Sequence, residues 1–190
     1  GPLGLSRRPT DLATQQAAAA VGQNVLIFRY QESLDRYGIV AGQILLTAGD
    51  MENPTHRSNA HRAMERLLGL RILPIVNEND TVATQEIRFG DNDRLAALVS
   101  VLVRADDLVL LSDVDALYTR PPGEPGALKI ETVASADGLA SVTCGDIGAA
   151  GGGTGGAGTK VAAARVATSA GIPVLLAATE RVADALEGAD

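Results

Sequence analysis

Short aliphatic runs alternate with long helical patterns along this chain, and the runs end in polar loops. Ile39–Leu46, Arg71–Val76, Leu108–Leu111 and Pro173–Ala177 read as strands. Helical patterns start at Thr10-Asp11 and run towards Tyr37, with Gly38 as the stop. Others run from Pro54 or Thr55 to Leu68-Gly69, from an Asp91 or Asn92 cap to Val103, from Thr159 to Ala170 and from Val182 to Leu186. Strands separated by helices pair in parallel, because the crossover helix carries the chain back to the same edge. Such sheets are buried on both faces and favour aliphatic side chains, in keeping with 46% apolar residues but only 3% aromatic ones. The expected fold is α/β, a three-layer α/β/α sandwich with a mainly parallel sheet, forming one domain over residues 1–190. Open α/β sheets bind ligands at the carboxyl ends of their strands.

Charge and composition exclude several functions. A net charge of −7 lacks the basic stripe of a nucleic-acid binder, so none is expected as a partner. The lone Cys144 cannot build a disulfide framework and suits a reducing cytoplasm. It is followed by Gly145 and Asp146, not by the basic neighbours that activate a thiolate. With no membrane-length apolar run and no basic-then-apolar leader, a cytoplasmic protein is expected. His56 and His61 lie on a basic helical stretch without zinc-site spacing, and no metal site is expected. The Gly-x-Ser-x-Gly elbow of serine hydrolases is missing.

Three segments carry candidate chemistry. Asn77-Glu78-Asn79-Asp80 and Asp91-Asn92-Asp93 flank an alternating stretch, Thr81–Phe89, that reads as a hairpin or extended excursion. Carboxylates accept from an ammonium, and Asn both donates and accepts, so the two loops could hold a zwitterion. They could also be solvated acidic loops, with Asp91 no more than a helix cap. Ser112-Asp113 follows a buried run and is either a plain turn or a site for the nucleoside part of a ligand.

The third segment is glycine-rich. Gly145 to Gly158 holds eight glycines in fourteen positions and cannot be a regular element. Gly151-x-Gly153-x-x-Gly156 matches a dinucleotide fingerprint, with Glu180 at about the right distance, but no good strand precedes it. A P-loop also misses, since Lys160 comes one residue late, after Thr159. A surface linker is one reading; anion binding is favoured, because a helix start offers free N–H groups and a positive dipole end. Lys160 adds a full charge there.

Taken together, Val76–Thr84, Glu86–Leu95, Leu110–Asp113 with Leu117-Tyr118, and Thr154–Lys160 resemble the amino-acid kinase family, in its glutamate-kinase branch. Thr14–Gln23 and Gly42–Thr47 fit as well. The resemblance implies ATP-dependent phosphorylation of the γ-carboxylate of L-glutamate, the first step towards proline, with Mg²⁺ carried on ATP. By resemblance, Asp80 and Asn92 bind glutamate, and Asp93 organises the lysines on the phosphate side. Ser112, Asp113 and the run Thr154, Gly155, Gly156, Ala157, Gly158, Thr159 and Lys160 contact ATP, and Lys160 neutralises the transferring group. A homo-oligomer is expected. The family's first strand, with its phosphate-binding lysine, and a serine-bearing glycine turn have no counterpart here, so the kinase fold is expected to be incomplete at the N-terminus. Gly158 stands where Ser is common and Ser112 where Thr is common. Those departures motivate two other readings, a non-catalytic nucleotide- or amino-acid-binding subunit and an inactive fragment. The glycine pattern alone leaves a dinucleotide-dependent oxidoreductase as a third.

Overall fold

The computed structural model describes residues 9–83, 92–113, 115–120, 124–133 and 157–188. The chain divides into two compact units, Gly1–Phe89 and Gly90–Asp190.

The first unit opens with α1, Leu12–Asp35, capped by Asp11, whose carboxylate accepts from the Thr14 N–H at 2.8 Å. The helix ends at Asp35, short of Tyr37, and Gly38, read as its stop, takes a left-handed φ of +66° three residues further on. Gln31 of α1 ties down the start of the next strand. Its amide accepts from Ala41 N–H at 2.8 Å and donates to the Ile39 carbonyl at 3.1 Å. Strand β1 is Val40–Leu46. A short helix that the sequence pattern does not announce, α2 (Ala48–Glu52), starts from a Thr47/Asp50 capping box. Helix α3, Pro54–Gly69, begins with Pro54 at its first turn and Asn53 as cap. It ends at Gly69 as expected, and the residue that takes a left-handed φ after it is Arg71, at +60°.

Strand β2, Ile72–Glu78, pairs parallel with β1 from Val40↔Ile72 to Leu46↔Glu78. It runs two residues past the expected end at Val76. The backbone ladder continues through Asn77 and Glu78, and Asn79 N–H still reaches the Leu46 carbonyl at 2.8 Å. A Cβ added at Gly42 of β1 would sit 3.1 Å from both Ile72 and Leu67, so bare backbone lets α3 close over the strand. Among the described residues of this unit, Leu46, Met51, Met64 and Ala83 are the buried apolar ones.

The second unit holds α4 (Asn92–Val103), β3 (Leu108–Ser112), α5 (Ala157–Ser169), β6 (Val174–Ala178) and α6 (Val182–Glu187). A small antiparallel pair, β4 (Leu117–Tyr118) and β5 (Lys129–Ile130), flanks the expected loop Arg120–Gly126. Strands β3 and β6 pair parallel, Leu108↔Val174 to Ser112↔Ala178. Ala97, Ala163 and Ala167 are at most 1% exposed and pack with Leu108, Leu110 and Ile172. Small side chains at these positions let α4 and α5 approach each other and the sheet closely, at interior packing density. Among the described residues the strands form three two-stranded pairs, two parallel and one antiparallel, and the class is α/β. Asp91, Cys144 and most of the Thr81–Phe89 excursion lie outside the described residues. No helix among those described is long and apolar enough to cross a membrane.

Candidate functional site

Helix α5 starts at Ala157, two residues before the expected Thr159, so Gly158, Thr159 and Lys160 all lie in its first turn. The first N–H groups of a helix have no partner within it and present the positive end of its dipole. A lysine here is disfavoured by that dipole, by about 0.3–1 kcal/mol. A carboxylate offsets it. Lys160 Nζ lies 2.9 Å from Oδ2 of Asp93, which itself stands in the first turn of α4, where negative charge is favoured. The Thr159 hydroxyl donates to the same Oδ2 at 3.0 Å. The side chains of Lys160 and Asp93 keep only 12% and 16% of their exposure. A pair this shielded adds little net stability, yet removing one member strands a desolvated charge.

Lys160 also lines a cavity of about 370 Å³. Ala164 and Thr168 continue the α5 wall at helical spacing, Val174–Ala178 of β6 forms another wall, and Leu117, Lys129 and Ile130 of the hairpin form a third. Asp115, Glu131, Arg181 and Asp184 join Lys129 and Lys160 as charged groups in a lining of mixed polar and aliphatic character. Ligand pockets for small molecules begin at about this size.

Ser112 is buried at the carboxyl end of β3, and its hydroxyl donates to the carboxylate of exposed Asp113 at 3.1 Å. The Ser112 carbonyl accepts from the Thr179 hydroxyl at 3.0 Å, joining the ends of β3 and β6. Sequence reasoning missed Thr179, because a lone threonine after a strand carries no pattern. Asn92 is the exposed first residue of α4. A Cβ at Gly158 would meet no heavy atom of the described residues within 4 Å. Thr154, Gly155 and Gly156 lie outside the described residues, as does the side chain of Ala157. Among the described residues no three His, Cys, Asp or Glu side chains cluster as a metal site.

In the first unit, Asp80 lies in the turn just past β2 and is half-buried. Asn77, in the strand, donates through Nδ2 to Gln23 Oε1 of α1 at 2.8 Å, a partner that sequence spacing could not supply. On β1's side, the Asp50 carboxylate accepts from the Thr47 N–H (2.8 Å) and hydroxyl (2.7 Å) and lies 2.9 Å from His56 Nδ1. Partial burial raises the Asp50 pKa, but the hydrogen bonds from Thr47 and from His56 together outweigh it and hold the carboxyl below its ordinary value.

A model of the amino acid kinase family matches residues 3–178. The chain is 74% identical over 187 residues to the glutamate 5-kinase of Clavibacter sepedonicus, covering 98% of this chain and 72% of that one. It is 73% identical over 186 residues to the glutamate 5-kinase of Leifsonia xyli subsp. xyli, covering 98% and 69%. Against the glutamate 5-kinase of Streptomyces coelicolor the identity is 59% over 189 residues, all of this chain and 50% of that relative.

Proposed function

The chain belongs to the amino acid kinase family, and on that footing we propose that it transfers the γ-phosphoryl group of ATP to the γ-carboxylate of L-glutamate. The product is glutamyl 5-phosphate, the first intermediate towards proline. One observation carries the reading: an ammonium is clamped at the start of a helix, beside a ligand-sized cavity, in a chain 74% identical to a glutamate 5-kinase.

The chemistry makes modest demands on the protein. A carboxylate oxygen of glutamate attacks the γ-phosphorus, and the bond to the β–γ bridging oxygen breaks, leaving ADP with the electron pair. A side-chain carboxyl is already ionised near neutral pH, so no general base is needed. Rate then comes from positioning and from stabilising charge on the phosphoryl oxygens. Lys160 and the positive dipole end at the first turn of α5 serve that end. Thr154, Gly155, Gly156, Ala157 and Gly158 are assigned to the phosphates, with Mg²⁺ arriving as part of the Mg-ATP substrate. Ser112 and Asp113, at the carboxyl end of β3, are assigned to the nucleoside; of the described residues assigned to ATP, Lys160 alone lines the cavity. Asp93 holds Lys160 in place. Asp80 is assigned to the ammonium of glutamate and Asn92 to its polar groups.

The family match runs through both units, which supports reading them as one kinase domain. A cytoplasmic location follows from the need for ATP and glutamate. A homo-oligomer is proposed as well, supported by the exposed Val25, Leu26, Phe28 and Tyr30 of α1.

The test is acyl-phosphate trapping. The full-length protein is incubated with Mg-ATP, glutamate and hydroxylamine, and ADP and hydroxamate are measured together. Equal amounts of both, absent without glutamate, are expected. ADP release that ignores glutamate, with no hydroxamate, would overturn the assignment.

A further inference from the structure

Thr159 sits within the run assigned to ATP, yet its side chain is turned to another use. A hydroxyl has one proton to donate, and this one points to Oδ2 of Asp93 at 3.0 Å. The same oxygen receives the Lys160 ammonium at 2.9 Å. With its proton on a carboxylate, the hydroxyl offers only lone pairs to an incoming phosphate oxygen, and these repel it. The pairing also bridges 66 residues of sequence, between the first turns of α4 and α5.

Two donors on one oxygen restrict Asp93 more than either alone. Lysine is a point charge on a flexible four-carbon stem, so its ammonium is only as well placed as the acceptor it meets. We propose that Thr159 is a positioning residue for phosphoryl transfer: its hydroxyl fixes the Asp93 carboxylate, which fixes the Lys160 ammonium. This rests on the kinase reading above.

The experiment compares Thr159→Val and Thr159→Ser in the full-length enzyme, each alone and with Lys160→Ala. Thr159→Val is expected to lower kcat about tenfold, the scale of one hydrogen bond to a charged group. KM for ATP and for glutamate should each stay within about twofold, because the backbone N–H and both substrate sites are kept. Thr159→Ser should recover most of kcat. In the Lys160→Ala background Thr159→Val should cost under about twofold, since no ammonium is left to position. A raised ATP KM with intact kcat would make the hydroxyl an ATP ligand and overturn the proposal. So would independent, multiplying losses, or a serine variant no better than valine. If Thr159→Val does not fold, Thr159→Ala carries the same comparison. A wild-type enzyme without glutamate-dependent turnover removes the kinase reading together with this proposal. Normal turnover with an unaffected kcat in Thr159→Val removes this proposal alone.

Discussion

Asp50 in the first unit and Asp93 in the second hold similar sets of partners, a threonine hydroxyl and a basic side chain. Their reach differs. Asp50 finds Thr47 three residues before it and His56 six residues after it. Asp93 finds Thr159 and Lys160 at separations of 66 and 67 residues. The Asp50 group can form as soon as α2 starts to wind, and it stays open to water, with His56 57% exposed. The Asp93 group exists only once α4 has docked on α5 across Ala97, Ala163 and Ala167. A local cluster of this kind shapes a turn; a long-range one turns correct packing into a placed charge. Function is therefore expected to depend on the second cluster and stability, mildly, on the first.

The largest effect should come from Lys160. Lys160→Ala in the full-length protein is expected to lower kcat by a factor on the order of a hundred or more, the scale of losing one preorganised contact to a transition state. Lys160→Arg should rescue little, because a planar fork does not reproduce a compact ammonium. Glutamate KM should hardly move. A near-normal kcat in Lys160→Ala would leave both clusters merely structural and dissolve the contrast.

Asp80→Ala sharpens it from the other unit. Here glutamate KM should rise about ten- to hundredfold, from losing one charged hydrogen bond of about 1.5–3 kcal/mol. ATP KM should stay near its wild-type value. Equal losses for both substrates in steady-state kinetics would point to a folding defect instead.

These expectations rest on a fold that the sequence shows unevenly. Aliphatic runs reveal β1 and β3 within a residue, and Asp11 and Gly38 mark the ends of the α1 region because cap and left-handed turn have strong residue preferences. The pattern stops short in β2, where Asn77 and Glu78 are polar but still in the ladder. It misses α2, whose five residues are too few for helical periodicity. Two-residue strands such as β4 and β5 leave no alternation to read. Nor does composition show that Arg71 and Arg104 take positive φ after α3 and α4, where glycine is the usual choice. At the site, no spacing rule connects Asp93 to Lys160; only the family resemblance named both. The Thr159 bond and the cavity leave no trace in the sequence, because they arise from packing between distant segments.

That packing can itself be challenged. Ala167 of α5 is fully buried against the sheet. Ala167→Leu should cost about 1–3 kcal/mol by overpacking, read as a lower urea midpoint with unchanged slope. If the Asp93 cluster depends on the docking of α5, kcat should fall in the folded variant as well. Lost stability with unchanged kcat would show that the charge is placed without help from this interface.

The smallest effect belongs to the local cluster. Thr47→Ala removes the hydroxyl from the α2 capping box and should cost about 1 kcal/mol, with kcat and both KM values unchanged. Its pH dependence follows from Asp50. The folded protein holds this carboxyl below the ordinary 3.8, through the Thr47 and His56 contacts that outweigh partial burial. A depressed folded pKa adds stability above the unfolded value, and that stability disappears as pH falls through the folded one. The gap between wild type and Thr47→Ala in urea unfolding should therefore hold from neutral pH down to about pH 4, then narrow in more acidic buffer. A gap that instead widens with acid would mean that Thr47 supports the protonated carboxyl. A loss of kcat at neutral pH would mean that the local cluster, too, is tied to catalysis, and the distinction between the two aspartates would fall.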